Sequence, residues 1–206
     1  WRDKEELLRY KITNSEFLVS FGNKKHGPSA GRFYRLQDKV SLIPGSNTIF
    51  KEEESVGSFT IDFWIYFYNT YNNQIIFEKK GQVISPNGNP ITSGIRSRLY
   101  NNHIEVKFKN IFYYLSSLLT KTPFSEENIT LVSRDTIVPE KWYHIAISFN
   151  ENTGLLSLYS NGILQKSLWC TDDGTDSGEI FVPRFLSEED SPLYIASGIN
   201  GLMDDF

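Results

Sequence analysis

Carboxylates gather in one loop-like part of the sequence. The segment 171–179 (TDDGTDSGE) carries Asp172, Asp173, Asp176 and Glu179 beside two glycines. Oxygen ligands on a flexible turn suit Ca²⁺, although the segment lacks the EF-hand spacing D-x-[DN]-x-[DN]-G. Calcium is therefore the candidate cofactor here, and the alternative is an acidic turn that is simply solvated.

A second set of candidate residues combines cations with an aromatic ring. Arg96, Arg98 and Tyr100 alternate along one face of a predicted strand. The wet face of the next predicted strand carries His103, Glu105, Lys107 and Lys109. Such a strip would bind an anionic polysaccharide, and the alternative is a solvated sheet face.

Aromatic side chains that could stack on sugar rings form a third set. Trp64 and Tyr68 share the outer face of one predicted strand, and Trp142 begins a later one. Aromatic rings suit the apolar faces of pyranoses, but they also fill protein cores. His144 is expected to be a packed structural group. The predicted ligand-binding set is therefore Arg96, Arg98, Tyr100, Tyr68 and Trp64.

The usual catalytic arrangements are missing from the sequence. It has no E-x-D-x-x-E carboxylate string, no G-x-S-x-G elbow, no P-loop and no H-E-x-x-H. The acidic run at 188–190 lacks the glycosidase spacing, and the histidines lie far apart on unlike elements. We therefore predict that the protein is not an enzyme, with a glycosidase that uses an unusual acid pair as an alternative.

Composition excludes further classes of function. The 206 residues include 21 basic and 25 acidic side chains, which gives a net charge of -4. This balance disfavours nucleic acid as a partner, because phosphate-binding surfaces are normally basic. Cys170 is the only cysteine, so no intrachain disulfide can form. No run of 18 apolar residues occurs, so no membrane span is predicted.

Alternating apolar residues predict many strands. Segment 58–68 (SFTIDFWIYFY) places its phenylalanines and isoleucines on one face, as a central core strand would. Further strands are predicted at 32–43, 74–79, 95–100, 103–109, 142–150, 155–160, 163–169, 193–196 and 201–206. Hairpin turns are predicted at Asn101–Asn102 and Asn161–Gly162, residues that tolerate positive φ.

The remaining segments are predicted from composition. A short helical turn and an edge strand are expected in 1–20, and loops at 81–94 and 120–130. Segment 111–119 fits either a short helix or a strand. No tandem repeat occurs, so we expect one domain over 1–206, excised from or part of a longer protein, since the chain begins at Trp1 rather than Met.

Three segments in order resemble the laminin-G-like, concanavalin A-like lectin and glucanase domains. They are FTIDFW at 59–64, WYHIA with GLLSLYSNG at 142–146 and 154–162, and LYIASGINGLMDD at 193–205. The resemblance covers most of 31–206. It departs at Ala196, where the family usually has glycine, in an apparent insertion at 111–130, and at Phe206, where the family's closing strand usually continues.

The resemblance implies an all-β fold, an antiparallel jelly-roll β-sandwich of two packed sheets. Domains of this kind bind glycans or proteins outside the cytoplasm, sometimes with calcium at a rim. Asp204 and Asp205 match the family's terminal acidic pair and are therefore a second candidate calcium site, with backbone capping as the alternative.

These observations predict a non-catalytic recognition module. Its partner would be a glycan or an extracellular or envelope protein, and its location would be secreted, cell-surface or periplasmic. The alternative is a structural or assembly domain that packs against the rest of a larger secreted or envelope protein.

Overall fold

The computed structural model describes residues 10–13, 18–20, 30–33, 39–43, 50, 57–84, 87–114, 128–184 and 191–206. This part of the chain forms sixteen strands and no helix, and therefore no helix that could cross a membrane. The strands are β1 (Tyr10–Thr13), β2 (Leu18–Ser20), β3 (Ala30–Phe33), β4 (Lys39–Leu42), β5 (Phe59–Phe67), β6 (Gln74–Ile84), β7 (Pro90–Tyr100), β8 (His103–Lys109), β9 (Phe112–Tyr114), β10 (Asn128–Val132), β11 (Trp142–Asn150), β12 (Leu155–Ser160), β13 (Ile163–Trp169), β14 (Phe181–Pro183), β15 (Leu193–Ile195) and β16 (Gly201–Asp204).

Two seven-stranded antiparallel sheets contain most of these strands. Sheet 1 has the order β1-β4-β15-β6-β7-β8-β10, and sheet 2 has the order β13-β12-β11-β5-β16-β3-β2. A small third sheet pairs β9 with β14. The non-sequential order of neighbours shows that the chain crosses repeatedly between the two large sheets. The prediction of an all-β jelly-roll sandwich is confirmed.

The core lies between the two large sheets. In β5 the apolar positions alternate, and Ile61, Phe63, Ile65 and Phe67 are buried. The ring of Phe63 meets that of Phe77 from sheet 1 edge to face, with centroids 6.1 Å apart. Because each such side chain contributes about 1.5–3 kcal/mol when it is fully buried, this period-two pattern specifies which face of β5 points inward.

Both predicted asparagine hairpins are present. Asn101 and Asn102 have φ values of 49° and 62° in the turn between β7 and β8, and Asn161 and Gly162 have 51° and 77° between β12 and β13. Positive φ at both central residues is the geometry that matches the right-handed twist of the strands. The register of the strands next to each turn follows from this turn chemistry.

The predicted loop at 81–94 is wrong, because β6 and β7 continue through it to Ile84 and from Pro90. Gly94 makes the continuation possible. Its φ is 141°, and a Cβ there would overlap the carbonyl oxygen of Lys79 on the facing strand. Glycine therefore marks a close approach of two strand backbones here rather than a loop.

Three other predictions need correction. The single strand expected at 32–43 is divided, with β3 in sheet 2 and β4 in sheet 1. The loop expected at 120–130 gives way to β10 from Asn128 onward, and β14 was not predicted. Segment 111–119 contains the strand β9, and the expected helical turn in 1–20 and most of 115–127 lie outside the described residues.

The end of the sequence lies inside the sheet rather than at its edge. β16 pairs with β5 on one side and with β3 on the other. The ring of Phe206 packs against Phe63 and Phe77, with centroids 5.7 and 5.6 Å apart. Ala196 has a φ of 58°, so the glycine that is usual in the family would suit this backbone better.

Candidate functional site

The predicted ligand-binding residues are divided between the two sides of the sandwich. Arg96, Arg98 and Tyr100 lie on the outer face of sheet 1, on β7. Trp64 on β5, in sheet 2, and Tyr68 directly after β5 occupy the alternate positions whose side chains point away from the core. Because the core separates the two sheets, the five residues do not form one site.

The outer face of sheet 1 contains a depression of about 210 Å³, which we call the basic groove. Its polar walls come from β6, β7 and β8. Register places Arg96 directly opposite Lys107 and Gly94 directly opposite Lys109, and Lys80 faces Gly94 from the other side. The groove therefore has a glycine at its floor and cations around it.

Charge compensation inside the basic groove is incomplete. Glu78 forms an ion pair with Lys80 at 3.0 Å. The described structure gives Arg96, Lys107 and Lys109 no ion-pair partner. Like charges that face each other across two strands destabilise a sheet by roughly 0.2–1 kcal/mol. Glu78, directly opposite Arg96 on β6, offsets part of this repulsion, but cations outnumber carboxylates in the groove, which favours an anionic ligand.

The charge of Arg98 is compensated, whereas that of Arg96, two residues earlier on the same face, is not. Its Nε donates to a Glu105 carboxylate oxygen at 2.6 Å, and its Nη1 donates to the Asn73 side-chain oxygen at 2.7 Å. The guanidinium also lies 4.3 Å from the centroid of the Tyr100 ring. Arg98 and Tyr100 therefore form a self-contained cluster beside the groove.

The outer face of sheet 2 is aromatic. The ring of Tyr66 lies 5.4 Å from that of Tyr68 and 5.6 Å from that of Trp142, and Trp64 lies 4.9 Å from His144. Partial burial raises the pKa of the Tyr66 hydroxyl, and the neighbouring Glu140 and Tyr68 raise it further.

His144 points to this outer face rather than into the core. Its Nε2 lies 3.2 Å from a carboxylate oxygen of Asp62, which is directly beside it on β5. The hydrogen-bond contact with Asp62 and the ring contact with Trp64 hold His144 on this outer face. Leu202, also outward by its register, is completely buried, so part of this face is covered.

The acidic loop lies at one end of the sandwich, beside a cavity of about 490 Å³ that we call the end cavity. Of the four predicted calcium ligands, Asp172 and Asp173 line this cavity, whereas Asp176 and Glu179 are not part of its wall. An Asp173 carboxylate oxygen accepts hydrogen bonds from the Thr175 amide at 2.8 Å and hydroxyl at 2.9 Å. These hydrogen bonds lower the pKa of Asp173.

Hydrogen bonds to the carboxylates of this loop hold its two ends together. Asp172 accepts a hydrogen bond from the backbone N–H of Glu179 at 2.8 Å, which joins the two ends of the segment. A Cβ at Gly178 would collide with the carboxylates of Asp172 and Asp173, so glycine allows both to approach the backbone. The loop is thus shaped by its own hydrogen bonds.

Calcium stays a prediction at both acidic places. No three His, Cys, Asp or Glu side chains among the described residues converge as a metal site would require. At the second place, the backbone N–H of Asp205 donates to the side chain of Asp204 at 3.1 Å. Asp205 itself is exposed, with a φ of 50°.

Sequence reasoning missed two residues of these depressions. Lys80 was not considered, because the segment that contains it was interpreted as the entrance to a loop. Asn110 directly follows β8, has a φ of 50° and is only 5% exposed. The buried environment of Asn110 depends on elements far away in the sequence, and no local signal predicts it.

Comparison with solved structures identifies similar folds. Domain 4 of AbnA, a GH43 extracellular arabinanase from Geobacillus stearothermophilus solved with arabinotriose, is 16% identical with a TM-score of 0.55, and the match covers 95% of this chain and 79% of that chain. A mutant of HCR/D is 15% identical with a TM-score of 0.53 over 95% of this chain. The match spans only 42% of the HCR/D chain.

At these identities the likeness concerns the fold alone. The comparison with curated proteins gave no match. The sequence profile of the concanavalin A-like lectin/glucanases superfamily matches residues 45–206, which is most of the chain and includes the segments that carried the resemblance. The chain therefore belongs to the concanavalin A-like lectin/glucanases superfamily.

Proposed function

We propose that this domain is a non-catalytic recognition module that binds an acidic saccharide in the basic groove. The observation that carries the proposal is the cationic set of Arg96, Lys107 and Lys109, which form no ion pair with any residue in the described part of the chain. These side chains stand on neighbouring strands in fixed register. The strand register fixes the positions of their backbones, so the three cations stay on neighbouring positions of one face.

The chemistry of the groove favours carboxylate or sulfate groups on a sugar. Arg96 offers a planar fork that can donate two parallel hydrogen bonds to such a group, and the lysines add point charges. A saccharide with repeated acidic groups would place one beside each unpaired cation.

Membership of a superfamily that contains lectins supports a saccharide as the ligand. The AbnA domain was solved in complex with an oligosaccharide, so a fold of this kind can hold one. An acidic polysaccharide is a surface or extracellular polymer, and we accordingly propose a secreted or surface-exposed location for this domain.

The test is binding to immobilised polygalacturonate and dextran sulfate, with neutral dextran as the control polymer. The acidic polymers should bind, and raising the salt concentration should weaken them, since the attraction between exposed charges is screened. The double variant Arg96→Gln with Lys107→Gln should lose at least about tenfold in affinity, because each charged hydrogen bond contributes about 1.5–3 kcal/mol.

Lys166→Gln is the matched control variant, since Lys166 is an exposed cation on β13 in the other sheet. It should bind like the original protein. Equal affinity of the double variant and this control would contradict the proposal. Hydrolysis of either acidic polymer, measured as new reducing ends, would contradict the non-catalytic assignment.

A second candidate function is assembly with the remainder of a longer protein. The aromatic outer face of sheet 2 favours it, because Tyr66 and Trp142 are only partly buried there. The HCR/D structure supports it as well, since this fold makes up less than half of that chain. The measurement is protection of the Trp142 face from hydrogen exchange in a longer protein compared with the isolated domain.

A further inference from the structure

The end cavity combines apolar walls with one negatively charged side. Its partly exposed apolar residues are Ile129, Leu168 and Trp169. Phe112 and Phe181 also line it, although most of each ring is buried. The volume of about 490 Å³ is within the range of small-molecule sites, which have mainly apolar walls and a few polar groups. The cavity is therefore suited to a small and partly apolar molecule.

The charged side of the cavity carries two carboxylates that are close together. Asp172 and Asp173 both approach Gly178, where an added Cβ would collide with each of them. Neither carboxylate forms an ion pair within the described part of the chain, and the groups that donate to them are N–H and O–H groups of their own loop. Two like charges in this position repel each other, so a cation in the cavity would stabilise both.

The negative charge of the acidic loop also reaches Tyr114. The Tyr114 ring packs edge to face against Phe181, a residue of the cavity wall, with centroids 4.8 Å apart. Desolvation, and after it the negative charges of Asp172 and Glu179, raise the pKa of the Tyr114 hydroxyl. The electrostatic field at this end of the sandwich therefore attracts cations and repels anions, in contrast to the field of the basic groove.

Hydrogen bonding at the carboxylates distinguishes between kinds of cation. One Asp173 oxygen accepts a hydrogen bond from the Thr175 amide at 2.8 Å, and the Thr175 hydroxyl lies 2.9 Å from both oxygens. Asp172 accepts the N–H of Glu179. A primary ammonium group has about three N–H donors that all need acceptors when water is removed. A quaternary ammonium group has no N–H, so it requires only negative charge and apolar contacts.

A metal ion fits the cavity less well than an organic cation. Ca²⁺ takes about six to eight oxygen ligands. Of the loop carboxylates, only Asp172 and Asp173 line the cavity, and no three His, Cys, Asp or Glu side chains converge among the described residues. The apolar walls supply no ligand to a metal, whereas they can contact methyl groups.

We infer that the end cavity binds the trimethylammonium group of a small organic cation, with its methyl groups against Trp169 and Leu168 and its charge beside Asp172. Aromatic rings, and that of Trp most of all, attract such cations because the faces of the ring carry negative charge density. This ligand is of a different class from that of the basic groove, and the inference does not depend on the function proposed for the groove.

The experiment measures the binding of choline by isothermal titration calorimetry and follows the indole N–H of Trp169 by NMR. Two analogues are compared with choline: its neutral carbon analogue, in which a tert-butyl group replaces the trimethylammonium group, and ethanolamine, which has the charge without the methyl groups. Choline should shift the Trp169 signal, and each analogue should bind at least about fivefold more weakly. Absence of choline binding, or equal or tighter binding of either analogue, would overturn the inference.

Variants test the two sides of the cavity separately. Trp169→Leu and Asp172→Asn should each weaken choline binding by about fivefold or more, because one removes the ring and the other removes a charge. Asp176→Asn is the matched control, since Asp176 is exposed on the same loop and does not line the cavity. It should change the affinity by less than about twofold, because solvent and salt screen its charge.

All three variants should keep the circular dichroism spectrum of the original protein. An effect of Asp176→Asn as large as that of Asp172→Asn would show that the net charge of the loop, rather than the cavity, attracts choline, and would overturn the inference.

Phosphocholine distinguishes a free cation from a phospholipid headgroup. It carries the same cationic group next to a phosphate, which the loop carboxylates repel, so it should bind at least about fivefold more weakly than choline. Equal or tighter binding of phosphocholine would mean that the phosphate is part of the ligand and would overturn the assignment to a free cation.

Discussion

The basic groove and the end cavity are lined by adjacent residues, Lys109 and Asn110, yet they differ in how the charges of their side chains are compensated. In the groove, neighbouring strands hold cations in fixed register, and three of them have no ion-pair partner among the described residues. In the cavity, a loop folds its own N–H groups onto its carboxylates. In a strand, the backbone N–H groups donate hydrogen bonds to the neighbouring strand, whereas in a loop they can donate to a side chain.

The difference shows where each region needs a ligand. The groove needs an anion to compensate charge. The carboxylates at the cavity already accept hydrogen bonds from donors within their own loop. The regions should therefore respond differently to substitution, to salt and to pH.

The largest expected effect is a loss of folding stability, which should affect both regions. Phe63→Ala should lower the free energy of unfolding by about 3–5 kcal/mol, because Phe63 is completely buried between the sheets. Urea denaturation measures it. Loss of ligand binding at both regions should follow the same unfolding curve, and a loss under about 1 kcal/mol would mean that β5 is not the central strand.

Gly94→Val should affect the groove before the cavity. The φ of 141° suits only glycine, and the added side chain would meet the backbone of Lys79, so we expect a loss of at least about 2 kcal/mol. Gly88→Val is the matched control in the same hairpin, because nothing lies within 4 Å of its Cβ position. Equal losses for both variants would show that backbone strain alone, without the close approach, explains the effect.

Arg96→Gln should weaken the binding of acidic polymers while changing stability by less than about 1 kcal/mol, since it removes the repulsion from Lys107 together with the attraction to Glu78 on the other side. Arg98→Gln should instead lower stability, because it leaves Glu105 without its ion-pair partner. Thermal melting at low salt compares the two. A destabilising effect of Arg96→Gln that equals that of Arg98→Gln would contradict the distinction between them.

The smallest expected effect is on the pH dependence of folding stability. The pKa of Asp173 is lowered in the folded protein from the usual 3.8, so its ionised form stabilises the fold above that pH. This contribution is lost as the pH falls through the lowered folded value. Melting from about pH 5 to about pH 2 should therefore show a weaker pH dependence for Asp173→Asn than for the original protein. Parallel curves would indicate that the hydrogen bonds from Thr175 do not persist in solution.

The sequence predicts those parts of the fold that depend on local chemistry. The alternation in β5 identifies its buried face, and the asparagine turns identify two hairpins. The sequence did not predict the parts of β6 and β7 that lie within 81–94, because glycine, proline and asparagine are typical of loops. In the structure, Gly94 instead allows a close contact with the backbone of the facing strand. The separation of β3 from β4 depends on pairing with β16 and β15, which no local pattern shows.

The sites are less predictable for the same reason. The sequence places Arg96 and Arg98 on one face, but their difference arises from ion pairing. Glu105 pairs with Arg98, whereas Glu78, which lies opposite Arg96, pairs with Lys80. The end cavity is built from separate segments around Asn110 and the acidic loop. Whether the amide oxygen of Asn110 has a partner depends on what covers it, and this is decided only by the packed fold.

The wall of the end cavity also contains the only cysteine of the chain. Cys170 is 1% exposed, and burial raises the pKa of its thiol, so the folded protein protects it from thiol reagents. A reagent can modify it only when this end of the sandwich opens or the protein unfolds. The labelling rate of Cys170 therefore reports the opening frequency of the cavity, and any molecule that occupies the cavity of the closed form should slow it.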